Sequence, residues 1–270
     1  MTVQALGSLP NAPLAYVLAQ VRFQPILEMH TLVPRIQTEL RHTFPRFSEF
    51  KLAGIELGSN GPQMVDPVSR WEFASASQRQ GVMLLNNSLV FHATEYSAYP
   101  AFISSFTRVM EILGKLVQGI FVDRLGLRYI DFVIPSRGES PDLYVVPSLA
   151  TRLEPGIPIQ AYTSVSLTDF SLADGHLVVR YMRGRGMPPL PADLLPLQLL
   201  PSKIMAIKDA AAVDTAILDT DRFAEVSVPF EVSDLHQRFE VLHEDTSKAF
   251  KAIATPHAMK VWSAPGSTSV

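Results

Sequence analysis

Cysteine is absent from the 270 residues of the chain. This absence excludes disulfide bonds, thiolate nucleophiles, and zinc or iron–sulfur centres that depend on cysteine. It fits a reducing compartment, and because residues 1–20 show neither a basic segment nor a long apolar one, we expect a cytoplasmic protein without a signal peptide. Long apolar runs are also absent: no stretch approaches the roughly 18 residues of a transmembrane helix, so we expect no membrane interaction.

An excess of positive charge is missing too. The formal net charge is −3, with 11 lysines and arginines against 10 acidic residues in residues 1–135, and 12 against 16 in residues 136–270. Neither half is basic, which argues against general electrostatic binding of nucleic acid. Hydrophobic residues make up 47% and charged residues 18%, so the bulk of the chain has enough apolar material for a folded core.

Motifs for cofactors and for known catalytic sites are not found either. The sequence has no Gly-rich phosphate loop, no dinucleotide fingerprint around Gly184 and Gly186, and no Gly-x-Ser-x-Gly elbow. Four aspartates fall at predicted turns and strand ends, where turn chemistry explains them: Asp169, Asp174, Asp219 and Asp221. We therefore expect no cofactor, assign no catalytic residue and favour a protein that is not an enzyme, although hydrolysis stays open.

The first half of the chain alternates strand-like and helix-like patterns. Aromatic and β-branched residues predict strands, and apolar residues spaced three and four apart predict helices. The predicted order is a strand at 13–23, a helix at 29–44, a loop or irregular strand at 46–68, three strands across 69–96 with a hairpin turn at Asn86 and Asn87, a helix at 97–121 and a strand at 124–135.

The second half adds a linker, two hairpins and a long helix. The proline-rich stretch 187–201 holds five prolines in 15 residues, which exclude a helix or a central strand and predict a surface loop. The predicted order is a linker at 135–158, a hairpin across 159–184, the loop at 187–201, a second hairpin across 203–223, a helix at 231–254 and a frayed tail at 263–270.

Both halves run from strands into an amphipathic helix, without the alternation of a parallel α/β fold. The sequence thus predicts an α+β fold of antiparallel sheets with amphipathic helices packed on one face. It allows for an internal duplication of a β-meander-plus-helix unit. We expect residues 1–135 and 136–262 to form two units that pack together as one globular body.

The predicted strand DRLGLRYIDFV (123–133) carries Arg124 and Arg128 on one face, about 13 Å apart, with Gly126 between them and Tyr129 beside the second. These side chains could bind an anionic ligand, with Gly126 leaving room for it to approach the backbone. The alternative, which we favour, is that each arginine pairs with an acidic residue of a covering helix or a neighbouring strand.

The densest positive cluster is RYMRGRG, which contributes Arg180, Arg183 and Arg185 beside two glycines. Three guanidinium groups near a flexible turn could hold a phosphate or a carboxylate. A solvated strand end beside the proline-rich loop explains them equally simply, and we favour that interpretation.

The last helix places His236, Glu240 and His243 on one face, a spacing that could ligate a metal. The histidines flank the apolar stripe of the helix, where half-buried histidines are common, so we predict no metal site. His236, His243 and Trp262 are instead candidates for an interface. The stripe itself could form a coiled coil with a partner, but packing on the protein's own sheet is the favoured interpretation.

Several stretches together resemble a sporadically distributed family of bacterial conserved hypothetical proteins. The strand RLGLRYIDFV resembles the family's hallmark strand, and the resemblance extends over nearly the whole chain through PLAYVLAQVRF, RWEF, YSAYPAF and LHEDTSKAFKAIA. The family has no established activity, so the resemblance implies no catalytic residue. Its patchy distribution implies an association with phage defence or toxin–antitoxin systems.

These observations lead to two functional hypotheses. The first is a non-enzymatic module that binds a protein partner or a second copy of itself in the bacterial cytoplasm, because the acidic C-terminal half and the sheet faces offer surfaces but no catalytic set. The alternative is a sensor or enzyme with an arginine-lined pocket for an anionic small molecule or nucleotide.

Overall fold

The computed structural model describes residues 9–58, 61–150, 163–207 and 213–264, and of residues 52–58 and 61–68 it describes only the backbone. The described residues form one nine-stranded antiparallel sheet with four helices packed against it. The predicted first unit ends at residue 135, but from here on the first half means the elements before residue 121: β1 (Leu14–Phe23), α1 (Met29–Leu40), β2 (Arg46–Gly58), β3 (Gly61–Ala74), β4 (Gln80–Leu84), β5 (Ser88–Ala93) and α2 (Tyr99–Leu116). Those of the second half are β6 (Phe121–Val133), β7 (Thr163–Leu172), β8 (Gly175–Arg185), β9 (Asp214–Pro229), α3 (Val232–Ile253) and α4 (Pro256–Ser263).

The sheet has the strand order β2-β3-β4-β5-β1-β6-β9-β8-β7. Each half begins with a central strand, β1 or β6. The chain then crosses to the outer edge of the sheet and returns through a meander of neighbouring strands, the last of which pairs with that central strand. Each half closes with a helix, α2 or α3. The prediction of an α+β fold is confirmed, and the topology repeats across the β1–β6 pair as an internal duplication would require.

The helices cover one face of this sheet. Apolar side chains of β1 and β5 such as Val17, Ala19 and Phe91 alternate with polar ones and point toward the helices. Phe106 of α2 meets Phe239 of α3 edge to face, with ring centroids 5.4 Å apart. Because these two helices belong to different halves, the main core joins both halves of the chain.

The opposite face carries the proline-rich loop. Residues 187–207, here called the strap, lie across β1, β6 and β9, and Leu190 packs against Tyr16 and Phe132. The strap is fixed at its far end because Leu200 donates its backbone N–H to Gln78 (2.8 Å) and accepts a hydrogen bond from the Thr94 hydroxyl (2.7 Å). The predicted surface loop is therefore the cover of the second face.

Two element predictions differ from the structure. Residues 46–68, predicted as a loop or irregular strand, form β2 and most of β3. Pro67 is accommodated because the pairing shifts register between Leu52 and Gly54, where a missing N–H costs no ladder hydrogen bond. The hairpin predicted across 203–223 is instead the single strand β9 preceded by the turns of the strap at 203–207.

The C-terminal end holds a helix that the sequence patterns did not indicate. Thr255 caps α4 through its side chain, which accepts a hydrogen bond from the backbone N–H of Ala258 (3.1 Å), and Pro256 occupies the first turn. The predicted frayed tail begins at Ser263, the last residue of α4, and its residues 265–270 lie outside the described ranges. No helix in those ranges is long and apolar enough to cross a membrane.

Candidate functional site

The buried charges beneath the strap are built on β6, β8 and β9. Arg128 is 9% exposed and lies on the strap face of β6, opposite Asp221 of β9 and diagonal to Asp219. Its Nε and Nη2 donate to the two oxygens of Asp219, each at 2.8 Å. Arg180 of β8 donates its Nη1 to the same carboxylate at 3.0 Å. The structure thus brings two sequence-predicted arginines together on one carboxylate, that of Asp219, which is fully buried.

The strap supplies a second carboxylate to Arg128. Asp193 lies in a short 3-10 turn, Ala192–Leu194, and accepts from Nη1 at 2.6 Å and from Nη2 at 3.3 Å. Burial alone would lower the pKa of Arg128, but the hydrogen bonds to Asp219 and Asp193 outweigh it and raise that pKa. The same hydrogen bond from Arg128 lowers the pKa of Asp193. Asp221, directly opposite Arg128, is a third carboxyl group beside these arginines, and burial raises its pKa.

Arg124 lies on the same face but in a different environment. Its guanidinium carbon is 4.2 Å from the ring centroid of Phe223, a cation–π contact, and its Nη1 donates to Gln20 at 3.0 Å. A Cβ added to Gly126 would lie 3.9 Å from Arg124 Nη1, in ordinary contact. Close packing therefore does not require a glycine at position 126. Arg124 and Phe223 border the space beside Gly126 through which, according to the sequence, a ligand could approach the backbone.

Tyr129 lies on the helix face, away from the arginines. Its hydroxyl is 3.1 Å from Nδ1 of His243 and 3.5 Å from the hydroxyl of Tyr96. The ring of His243 stacks flat on Tyr99 with centroids 3.7 Å apart. Burial, with a smaller effect of Lys251, lowers the pKa of His243 to about 4, so this histidine is a neutral packing group at pH 7.

The three arginines of RYMRGRG do not form one cluster, because the alternation along β8 turns Arg180 to the face opposite to Arg183 and Arg185. Arg180 lies on the strap face. Arg183 lies on the helix face, where it is 6% exposed and pairs with Asp142 and, at 3.2 Å, with Asp214. Arg185 is exposed at the end of the strand.

The other two interface candidates differ in exposure. Trp262 is 4% exposed and packs against Phe250 and Tyr144, with ring centroids 5.7 and 5.8 Å away. His236 is part-exposed, with Nδ1 3.0 Å from the Thr107 hydroxyl. Across the part of the chain that the structure describes, no three His, Cys, Asp or Glu side chains form a metal-binding group.

Two features of the interior carried no signal in the sequence. Tyr16 and His92 meet beneath the strap, hydroxyl to Nδ1 at 2.9 Å, and burial, with a smaller effect of Arg70, lowers the pKa of His92 to about 3. Asp219, predicted as a turn residue, lies in the middle of β9 and anchors the arginines. Both depend on pairing between strands distant in sequence, which a single sequence does not reveal.

The cavities lie apart from the arginines. A wide groove of about 950 Å³ runs between the end of α2 and the start of α3 and is bordered by Lys115, Glu231 and His236. A narrow cavity of about 30 Å³ lies under α3, next to Tyr129 and Asp131. Neither brings the predicted arginines to an open pocket.

Among the described residues, the outer edge of the sheet beside β8 carries exposed apolar side chains. Strand β7 forms this edge and pairs with β8 over ten residues without a register shift. None of its residues is buried, and Val165, Leu167 and Phe170 are 63%, 58% and 49% exposed. Its one ionisable residue, Asp169, pairs with His176 at 2.8 Å. The strand thus presents a regular and nearly uncharged edge with three exposed apolar side chains.

Comparison with known proteins gives no family assignment. No family model matches the chain, and a search of curated proteins finds no match.

Proposed function

We propose that the protein is a non-enzymatic protein-binding module, and that its binding edge is β7 with a second copy of the chain as the occupant. The observation that supports this proposal is the exposed apolar edge formed by Val165, Leu167 and Phe170. An edge strand of this kind carries unpaired backbone N–H and C=O groups along its outer side, ready to pair with another strand.

The two edges of the described sheet differ in how they are protected. Strand β2, at the other edge, carries charged residues including Glu49 and Lys51, which pair at 3.2 Å, and its pairing is irregular after Leu52. Charges and irregular pairing are common devices against strand addition. Because β7 has neither lysine, proline nor a bulge, it is the edge suited to pairing.

The sequence of β7 is complementary to itself. In an antiparallel pair centred on Ser166, Val165 of each copy lies opposite Leu167 of the other, on the strap face. On the helix face Ser164 would lie opposite Thr168. Asp169 would lie opposite Thr163, so the single charge of the strand meets no like charge. Such a pair is isologous and closes a twofold dimer.

In the described state the buried arginines offer no open pocket to a ligand. Arg128, Arg180 and Arg183 are already paired with carboxylates of the chain itself. A role in a bacterial defence or toxin–antitoxin system is proposed on the resemblance alone.

The test compares two valine-to-lysine variants by light scattering over a range of protein concentrations. Val165→Lys places a charge on the β7 edge, whereas Val241→Lys changes an equally apolar residue, 50% exposed on α3. We expect the wild-type chain and Val241→Lys to give a dimer mass and Val165→Lys to give a monomer mass with unchanged melting temperature. A monomeric wild-type chain, or a Val165→Lys variant that still dimerises, would contradict the proposal.

A further inference from the structure

The guanidinium of Arg128 is held by two carboxylates of very different kinds. Asp219 belongs to a central strand, has no exposed surface and occupies the Nε and Nη2 edge. Asp193 belongs to the strap, and its side chain is 61% exposed while it occupies the Nη1 and Nη2 edge. The first partner is part of the rigid sheet, and the second reaches the arginine from the solvent side.

Around Asp193 the described strap residues are held to the sheet by side-chain packing, through Leu190 and Leu194, and not by backbone hydrogen bonds to the strands. Its backbone hydrogen bonds there are local, from Leu194 to Pro191 and from Leu195 to Ala192. The firm attachment through Leu200 lies seven residues further along. Asp193 can therefore leave Arg128 through a movement of a few strap residues, without breaking the sheet.

We propose that Arg128 and Arg180 form an anion-binding site that Asp193 closes, and that a small carboxylate or phosphate-type anion takes the place of the Asp193 carboxylate. Asp219 fixes the orientation of the Arg128 fork, so its free edge is ready for a bidentate acceptor. With Asp193 withdrawn, Nη1 of Arg128 loses its acceptor. Asp219 and Asp221 remain beside the two guanidinium groups, and burial raises the pKa of Asp221. Leu18, opposite Arg128 on β1, supplies an apolar border. This proposal goes beyond association through β7 and does not depend on it.

The test removes the internal carboxylate and supplies an external one. Asp193→Ala and the wild-type chain are titrated with sodium acetate and with sodium phosphate, against sodium chloride at equal ionic strength, while thermal unfolding is recorded. We expect both anions to stabilise Asp193→Ala beyond the effect of chloride, lowering its unfolding equilibrium constant about a hundredfold at anion concentrations near 100 Kd. The wild-type chain should respond far less. The anion with the lower Kd identifies which of the two classes the site prefers.

A second variant tests the geometry of the fork. Arg128→Lys in the Asp193→Ala background keeps the charge but loses the paired donors, so the anion effect should disappear. Asp193→Asn, which keeps the size of the side chain, serves if the alanine variant unfolds. NMR signals of the Arg128 side-chain N–H groups should shift with acetate in either Asp193 variant and stay unchanged with chloride. A folded Asp193 variant that responds to anions no more than the wild-type chain would overturn the proposal, as would an equal response after Arg128→Lys.

Discussion

Asp131 is a buried carboxyl group in an unfavourable environment. It is 4% exposed on the helix face of β6 and borders the narrow cavity of about 30 Å³ with Thr220, whose hydroxyl has no hydrogen-bond partner among the described residues. Burial first, and then the charge of Asp219, raise the pKa of Asp131 to about 8. Tyr96, Tyr129 and Thr246 face the same cavity and offer hydroxyl groups but no positive charge.

This shift makes stability depend on pH. The unfolded chain releases the Asp131 proton near its ordinary pKa of 3.8, whereas the folded chain keeps it to about pH 8. Stability therefore falls between these values as pH rises, by up to about 1.4 kcal/mol per pH unit. We expect Asp131→Asn to lack this pH-dependent contribution to stability. The stability of the variant relative to the wild-type chain should therefore be greater at pH 8 than at pH 5.

Urea unfolding of both proteins at the two pH values measures the effect. The difference between them isolates Asp131, because the depressed pKa values of His92 and His243 act in both proteins. Parallel pH profiles would show that Asp131 does not titrate in this range.

Arg128 carries the largest share of the buried network. Arg128→Ala would leave the fully buried Asp219 with Arg180 as its remaining partner, and we expect a loss of about 3–5 kcal/mol in unfolding free energy. Arg180→Ala should cost about 1 kcal/mol or less, because the Arg180 side chain is 29% exposed and Asp219 keeps its bidentate pair. Urea unfolding measures the loss of unfolding free energy in both variants. Equal losses in Arg128→Ala and Arg180→Ala would contradict a larger contribution of Arg128 to the buried network.

At the scale of elements, the turn between β7 and β8 depends on Gly175. This glycine has a φ of +149°, and an added Cβ would lie 2.2 Å from the backbone oxygen of Phe223 on β9. Gly138 also has a positive φ, +83°, but a Cβ there would meet nothing within 4 Å. A comparison of alanine substitutions at Gly175 and Gly138 therefore separates the cost of backbone overlap from the cost of a positive φ.

We expect Gly175→Ala to lose about 3 kcal/mol or more in unfolding free energy, because the overlap with Phe223 displaces the β8–β9 pairing. Gly138→Ala should lose about 1–2 kcal/mol. Chemical denaturation of both variants gives the comparison. Similar losses would show that the turn can shift away from Phe223.

Elements with a strong apolar period were predictable, and those that depend on tertiary pairing were not. The stripes of α2 and α3 and the strand β6 were correctly predicted because their patterns are long and regular. Strand β2 was missed because Gly54 and Gly58 interrupt its pattern. Strand β9 was predicted as the second strand of a hairpin across 203–223, so its last six residues, 224–229, were missed. Asp219 and Asp221, predicted at turns and strand ends, face the arginines of β6 and β8.

The candidate site shows the same division. Arg128 and Arg180 were singled out from local sequence, because arginine clusters are visible there. Their shared partner Asp219 and the strap residue Asp193 became visible only when strands and loop came together in space. A single sequence carries no signal for contacts separated by 65 or 91 residues.

At the scale of the whole molecule, the two halves share one sheet and one core. Strands β1 and β6 pair along most of their length, and Phe106 and Phe239 join α2 to α3. The two tryptophans lie on opposite sides of this junction: Trp71 on β3 and Trp262 on α4, 5% and 4% exposed. Each half thus contains its own fluorescent reporter.

We expect the halves to unfold together. Trp71→Phe and Trp262→Phe each leave one reporter, and we expect the fluorescence transition of each variant to coincide with its own circular-dichroism transition. Two distinct midpoints within one variant would show that the halves unfold as separate units.

Association through β7 is the central claim, and hydrogen exchange measures it directly. NMR exchange rates of the β7 amides are compared at high and low protein concentration in the wild-type chain and in Val165→Lys. Our account predicts that alternate β7 amides, those on the outer side of the strand, become protected at high concentration in the wild-type chain alone. Outer β7 amides that exchange at the same rate at both concentrations, in a chain that is dimeric by mass, would contradict the claim and place the interface elsewhere.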